Sequence, residues 1–338
     1  MWKYSVVQSV SAAIQFHKLS NRRFIEVVLS PDVDGVLSTL FVTEYARRIN
    51  VHVKVIATYN GRTVRTLNQA TTDQLKKALW LDLDVRFPGV ACCIGQHYLG
   101  PPCVRTAIGS FNPNVFYKVS DMKQKYPFAT CHFLFEALLG GDDFPLEDQA
   151  RCAMAHADSM YWVATKYKAN SKRWLDEMFP TSEWARTIAS PHYLKTHCDT
   201  HLKVVQDTLA PFTFPGNGKR SFGLEDETLE EQWRQTLGKQ TCRSSSNSFH
   251  MTCVQKLLCQ LGQFFHILPP AMDAVDTATV FWQGTKMQVE PSPYTTADLE
   301  AYLQSHHIRS HAWTLSRCIS MTEGPPLGVP PPTVTQFF

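Results

Sequence analysis

Residues 24–38 read FIEVVLSPDVDGVLS, and the fold turns on this stretch. A short run rich in β-branched residues, FIEVVL, has the signature of a buried strand. It gives way to two aspartates one residue apart, Asp32 and Asp34, then Gly35, and then a segment with apolar residues at helical spacing whose first turn holds Ser38. Strand, acidic turn and helix in that order predict the carboxyl end of a strand in an open parallel sheet, where ligands gather. Two carboxylates this close repel each other, and a divalent cation would relieve the repulsion; an Asx-rich turn that caps the helix is the other reading.

The pattern continues outward. The apolar runs at 51–57 (VHVKVIA), 79–85 (LWLDLDV) and 90–94 (VACCI) also read as strands. VLSTLFVTEYARRIN, TTDQLKKAL and CHFLFEALLG read as helices, the first with Arg47 and Arg48 in its last turn, where the helix dipole favours cations. Alternating β and α units predict a parallel sheet covered by helices. Beyond about residue 160 the texture changes to long polar helical segments, a loop FTFPGNGKRSFG and a Ser-rich turn at 243–248. The expected organisation is a first domain over 1–160, a helical linker over 161–210, a second, smaller α+β domain over 211–322 and a Pro-rich tail over 323–338.

Composition narrows the class without choosing the function. The chain has 338 residues, 44% of them hydrophobic, and a net charge of +3. That length supports two cores, and the charge permits a polyanionic partner without requiring one. Ten cysteines are scattered with no CxxC pair, which favours reduced thiols over a disulfide framework. No apolar run approaches the ~20 residues that span a bilayer. The expectation is a soluble intracellular protein of the cytoplasm or nucleus.

Further strand ends carry matching chemistry. LWLDLDV places Asp82 and Asp84 at the close of the third run, both on one face because strand side chains alternate. CCIGQH puts Gln96 and His97 just past the fourth, and QARCAMAHADSMYW brings His156 and Asp158 to the end of a helical segment. Each alone is more often a cap or a satisfied polar residue, and it is the four placements in sequential order that point to a site.

In order and spacing, Asp32-x-Asp34-Gly35-x-x-Ser38, then Asp82, then Gly95-Gln96-His97, then Asp158 resembles the four-motif series of the DHH phosphoesterases. SFNPNVFYKVSDMKQKYPFATCHFLFEALL, over 110–139, is similar to the segment that follows the third motif in the RecJ-like branch. The resemblance covers roughly residues 24–165. It implies a DHH-type α/β domain and a two-metal phosphodiesterase using Mn²⁺ or Mg²⁺ on single-stranded nucleic acid, short oligonucleotides or related phosphoesters. Carried over by position, it implies that Asp32, Asp34, Asp82 and Asp158 bind metal, with Asp82 between the ions. It implies further that His97 would face the scissile phosphate and join the metal set, and that Asp34, Gln96 and His97 would form the catalytic group.

Three departures favour a different outcome, a catalytically inactive DHH-type scaffold in DNA replication or repair. Gln96 stands where the family has a histidine ligand, Ser30 stands where several relatives carry His, and no glycine-rich GGGH-type loop occurs in the second half. His156, two residues before Asp158, is a candidate to compensate in space. GNGKR at 216–220, with Lys219 and Arg220, is a candidate phosphate loop, an exposed turn being the plainer reading.

Two further stretches suggest partners. MYWVATKYKANSKRW interleaves Tyr161, Trp162, Tyr167 and Trp174 with Lys166, Lys168, Lys172 and Arg173. Aromatic faces and cations together suit single-strand binding, but the aromatic spacing reads first as one buried helix face with the lysines solvated. His192, His197, Cys198 and His201 offer metal-binding atoms without diagnostic spacing. The terminal PPTVTQFF resembles the PIP box of sliding-clamp partners: Val334, Phe337 and Phe338 match, and Pro331 takes the Gln position. A tail folding back on its own domain is the alternative.

Overall fold

A computed structural model of the chain describes residues 1–19, 24–100, 109–190, 246–289, 296–315 and 318–327. Lys219, Arg220, the histidines of 192–201 and the tail residues Val334, Phe337 and Phe338 lie outside the described residues.

The fold is α/β, with a mainly parallel sheet of seven strands flanked by helices and a smaller antiparallel sheet beside it. Strand β1, Phe24–Leu29, pairs in parallel with β2, His52–Tyr59, on one side and with β4, Leu79–Leu81, on the other. Strand β5, Cys92–Ile94, extends the parallel set beyond β4. On the far side β3, Thr63–Thr66, turns back antiparallel to β2. The short β6, Ala271–Met272, pairs with β2, and β7, Thr279–Gln283, closes the sheet against β3. Residues 271–283 therefore belong to the first sheet, although the sequence groups them with the second domain.

Helical cover on both faces explains why β1 is apolar throughout rather than alternating. Ile25, Val27 and Leu29 point to one face, where they meet Val36, Leu37 and Leu40 of α2, Val33–Arg48. Val28 points to the other, packing in the layer that holds Leu75 of α3, Thr72–Lys77. Each such fully buried aliphatic contributes about 1.5–3 kcal/mol. The second layer is centred on Tyr59, Trp80, Phe87 and Trp282, whose ring centroids lie 4.8–6.1 Å apart. Trp282 is how β7 fastens a late segment to the sheet.

An N-terminal helix that local signals leave unassigned, α1 over Trp2–Leu19, buries Trp2, Val6, Val10, Ala13 and Ile14 against the α2 side. That side also receives α4, Pro113–Phe116; α5, Thr130–Leu134; a π-helical turn, Phe135–Leu139; and α6, Asp148–His156. Next come α7, Met160–Lys166; α8, Lys168–Met178; and α9, Glu183–Ile188. Trp174, Met178, Phe179, Trp184 and Ile188 enter the same core as α2 and α5. The stretch after residue 160 thus packs on the first sheet, as does α10, Ser246–Phe265, through Val254, Leu257, Leu258 and Leu261.

The smaller sheet runs in the order β8, Thr285–Val289; β10, Cys318–Glu323; β9, Ile308–Leu315. With α11, Thr296–Ser305, it encloses a separate small core of Leu299, Leu303, Ile308, Ile319 and Met321. It abuts the first sheet through an antiparallel bridge between Val85 and Ser310, a bond from Tyr59 Oη to Ser310 Oγ (2.7 Å) and an Arg86–Glu300 ion pair.

Candidate functional site

Chain order places the site. After β1 the chain crosses to β2 through α2, and it later returns to β4 on the opposite side of β1 through α3. The carboxyl ends of β1 and β4 therefore flank a topological switch point, where an open α/β sheet forms its crevice. Asp32 and Asp34 follow β1, and Asp82 and Asp84 follow β4.

A cavity of about 300 Å³ opens there. One wall is acidic, formed by Asp32, Asp82, Asp84 and Asp158 with Ser30 and His97. The facing wall comes from the smaller sheet: Lys286 of β8, Ser310 and His311 of β9, and Ser320 and Thr322 of β10, joined at the rim by the β2–β3 turn at Asn60 and Gly61. Nothing in the local sequence pattern marks this second wall; it arises from docking the two sheets.

Asp32 serves as the N-cap of α2, its Oδ1 accepting the Gly35 amide at 2.8 Å, while its Oδ2 accepts Ser30 Oγ at 2.7 Å. The cap and the cavity-lining reading therefore hold together. Gly35 lies within the helix rather than in a tight turn. A Cβ there would fall 2.1 Å from the Ser30 carbonyl oxygen, so close backbone approach is what demands glycine.

Asp34, 1% exposed, is not among the cavity-lining residues. Its Oδ2 accepts the Thr130 amide and its Oδ1 the Cys131 amide, each at 2.7 Å, with Ser38 Oγ at 3.2 Å. These amides open α5, where helix N–H groups lack intrahelical partners, and Ala129, preceding them, has no side chain to cap with. Asp34 thus caps a helix 96 residues downstream. The His132 ring completes the cap, accepting the Ala129 amide at Nδ1 (3.0 Å) and donating from Nε2 to the Met154 carbonyl (2.8 Å); burial holds its pKa down to about 4.

Strand alternation stops at Leu81, because Asp82 takes a left-handed conformation with φ of 56°. Asp82 and Asp84 still both line the cavity, delivered by this turn rather than by a shared strand face. Asp82 accepts Thr130 Oγ1 at 2.9 Å. Burial, followed by the charges of Asp34, Asp32 and Asp158, pushes its pKa well above the ordinary carboxylate range. Asp158, between α6 and α7, is also left-handed, with φ of 48°. Burial and the charges of Asp34 and Asp32 raise it to about 8, against the opposing pull of His97 and Lys125. Its Oδ2 accepts Gln96 Nε2 at 2.6 Å.

The four motif aspartates are thus electrostatic neighbours, although they come from distant positions along the chain, and His97 joins three of them at the cavity. Gln96 contacts Asp158 without lining the cavity. His156 does not line it either: it is buried on α6, and desolvation lowers its pKa to about 4. Among the described residues, no three acidic, histidine or cysteine side chains already stand in a coordinating arrangement.

Asp84 is a site residue whose partners the sequence does not announce. It accepts the His97 amide (3.1 Å) and His97 Nδ1 (3.3 Å) at Oδ2, and Asn112 Nδ2 (2.9 Å) at Oδ1. His311 is another: its Nε2 donates to the Leu99 carbonyl at 3.0 Å, and desolvation lowers its pKa to about 4.

The aromatic-basic stretch divides. Trp174 is 1% exposed and donates to the Gln124 carbonyl at 2.9 Å, so it belongs to the core. Lys166, Lys168, Lys172 and Arg173 are exposed on α7 and α8, with Lys172 paired to Asp176 at 2.5 Å and Arg173 bonded to Gln124. Among the described residues, no helix is long and apolar enough to cross a membrane.

No protein-family model matches the chain, and no curated protein matches it. Among solved structures it is similar to exonuclease RecJ bound to manganese, with 12% identity over 94% of this chain and 90% of that one and a TM-score of 0.33. It is also similar to RecJ in complex with Mn²⁺ from Thermus thermophilus, with 12% identity over 94% of this chain, a TM-score of 0.32, and a span of about half that protein's length (52%).

Proposed function

We propose that the protein is a divalent-cation-dependent phosphoester hydrolase of the DHH type, acting on phosphodiester bonds in single-stranded DNA or short oligonucleotides. The observation that carries this reading is the convergence of Asp32, Asp82 and Asp158 with His97 on one cavity at a switch point, with Asp34 near enough for its charge to act on Asp82 and Asp158. Carboxylates that hold one another's pKa up are a set that positive charge would stabilise, and all-oxygen donors suit Mg²⁺ or Mn²⁺. Asp32, Asp34, Asp82 and Asp158 are the proposed ligands, with His97 beside them. Loading would replace the Ser30–Asp32 and Gln96–Asp158 hydrogen bonds. Bound divalent ions polarise phosphoryl oxygens and lower the pKa of a coordinated water.

The chain's own groups would do the rest. His97 offers a ring nitrogen toward the phosphoester, Lys286 and Ser320 present a cation and a hydroxyl from the facing wall, and the exposed Lys166, Lys168, Lys172 and Arg173 offer charge for a nucleic-acid backbone. The roles of Lys219 and Arg220 in phosphate binding, and of Val334, Phe337 and Phe338 in sliding-clamp binding, rest on sequence alone.

One pair of contacts favours a second reading, a catalytically silent scaffold in DNA replication or repair. Ser30 and Gln96, the two positions that depart from the family pattern, each donate a hydrogen bond to a proposed ligand, Asp32 and Asp158 respectively. Neutral donors there satisfy oxygens that a cation would otherwise occupy. Incubating labelled single-stranded oligonucleotides with Mn²⁺ and either the native protein or Asp158→Asn separates the two. Cleavage by the native protein, lost in the variant, supports the hydrolase. Equal inactivity of both, with no calorimetric Mn²⁺ or Mg²⁺ binding, supports the scaffold.

A further inference from the structure

Beyond the motif residues, the structure builds a dedicated mount for one side chain. His97 follows Gly95 and Gln96 off the end of β5, a place where a loop histidine would ordinarily sample several rotamers. Here its surroundings are fixed at every point. Its amide and its Nδ1 both meet Asp84 Oδ2. Its carbonyl accepts Asn112 Nδ2 at 2.9 Å, and the same amide group donates to Asp84 Oδ1. Asn112 is itself held, because its Oδ1 accepts the Asn114 amide at 2.9 Å, and Asn114 Nδ2 donates to the Gln96 carbonyl at 2.7 Å. Gly95 leaves room for all this: a Cβ there would lie 2.3 Å from Asp84 Oδ2.

The donor pattern fixes the chemistry. Asp84 Oδ2 accepts the His97 backbone N–H and Asp84 Oδ1 accepts Asn112 Nδ2; an ionised carboxylate is an acceptor only, so the proton in its contact with His97 Nδ1 is assigned to the ring. Nε2 is left as the nitrogen through which His97, partly exposed at the cavity, can act. An orienting carboxylate on one ring nitrogen is the usual way a protein sets the other.

We propose that Asp84 is a positioning residue, holding His97 through Nδ1 so that Nε2 is the atom offered to a phosphoester in the cavity. Asn112 and Gly95 complete the mount. The proposal rests on the hydrolase reading for its purpose, but the ring state it specifies can be measured without activity.

The test is nitrogen NMR of protein labelled at its 13 histidines, with His97→Gln used to assign the His97 signals. In the native protein His97 Nδ1 should be protonated on both sides of the ring's titration, and in Asp84→Asn the neutral ring should shift toward the Nε2-protonated tautomer while the other histidine signals stay put. A native His97 that is Nε2-protonated when neutral overturns the proposal, and this arm needs no variant to fold. So does an Asp84→Asn protein with an unchanged His97 signal. Where the native protein cleaves oligonucleotides, Asp84→Asn should lower kcat by about 10- to 100-fold with KM little changed; an equal loss in KM alone overturns the positioning role. Absence of cleavage together with the Nδ1-protonated ring would count against the hydrolase and leave the mount standing.

Discussion

Replacing Asp34 by alanine should unfold the site before it alters any chemistry. The carboxylate is the cap of α5, and its removal strands the Thr130 and Cys131 amides, both within 2.7 Å of it and both buried. Each buried donor left unpaired costs about 1–3 kcal/mol, so the pair costs about 2–6 kcal/mol. Against this stands relief of repulsion, because the charge of Asp34 is the largest influence, after burial, raising both Asp82 and Asp158. Relief worth one pKa unit returns about 1.4 kcal/mol. Lost capping therefore wins, and the net destabilisation should be about 1–5 kcal/mol. Urea unfolding at pH 7 measures it as a lower midpoint at unchanged slope. Asp34→Asn, which keeps one acceptor, should fall between the native protein and the alanine variant. An Asp34→Ala protein within about 0.5 kcal/mol of native stability, a surface-like effect, would refute the capping assignment. The corollary concerns function: inactivity of an Asp34 variant alone is not evidence that a metal ligand has been lost.

Other outcomes follow from the same geometry. Asp158, raised from 3.8 to about 8 in the folded protein, holds a proton there that the unfolded chain has released; its contribution to stability should be full below about pH 4 and be lost as pH rises through about 8, visible as a falling urea midpoint that Asp158→Asn flattens. Gly95→Ala should cost about 1–3 kcal/mol, since its Cβ would displace Asp84, and the His97 nitrogen spectrum should change with it. Trp174→Ala should cost about 3–5 kcal/mol by thermal or urea unfolding, as expected of a core residue rather than a stacking platform. Gln96→His, which removes the donor facing Asp158 and adds an imidazole, should tighten calorimetric Mn²⁺ binding; weaker binding would count against Gln96 as the reason the site departs from the family pattern.

Much of the first sheet was legible because its signals are local. FIEVVL became Phe24–Leu29, and the helical spacing after Asp32 became Val33–Arg48. The acid residues at strand ends were legible for the same reason, since an α/β order alone places such residues at one edge of the sheet. What local pattern could not carry was long-range pairing. Nothing near Asp34 announces that its partners lie at Thr130 and Cys131, and nothing in LWLDLDV shows that Asp84 will meet His97 and Asn112. Strands β6 and β7 fall within the stretch that the sequence groups as a second domain, because such short runs carry too little periodicity to reveal a partner so far back in the chain. The facing wall of the cavity was invisible for the same reason: Lys286, Ser310, His311, Ser320 and Thr322 are unremarkable until the small sheet docks.

Mn²⁺ titration calorimetry at about pH 7.5, repeated in buffers of different ionisation enthalpy, bears most directly on whether these buried carboxylates form a cation site. Because Asp158 titrates at about 8 and Asp82 higher than normal, a cation entering the cluster must expel protons. The expected result is saturable binding with buffer-dependent heat, abolished in Asp82→Asn and weakened in Asp158→Asn. Heat of dilution alone in the native protein, or binding that the two variants leave intact, would contradict the account.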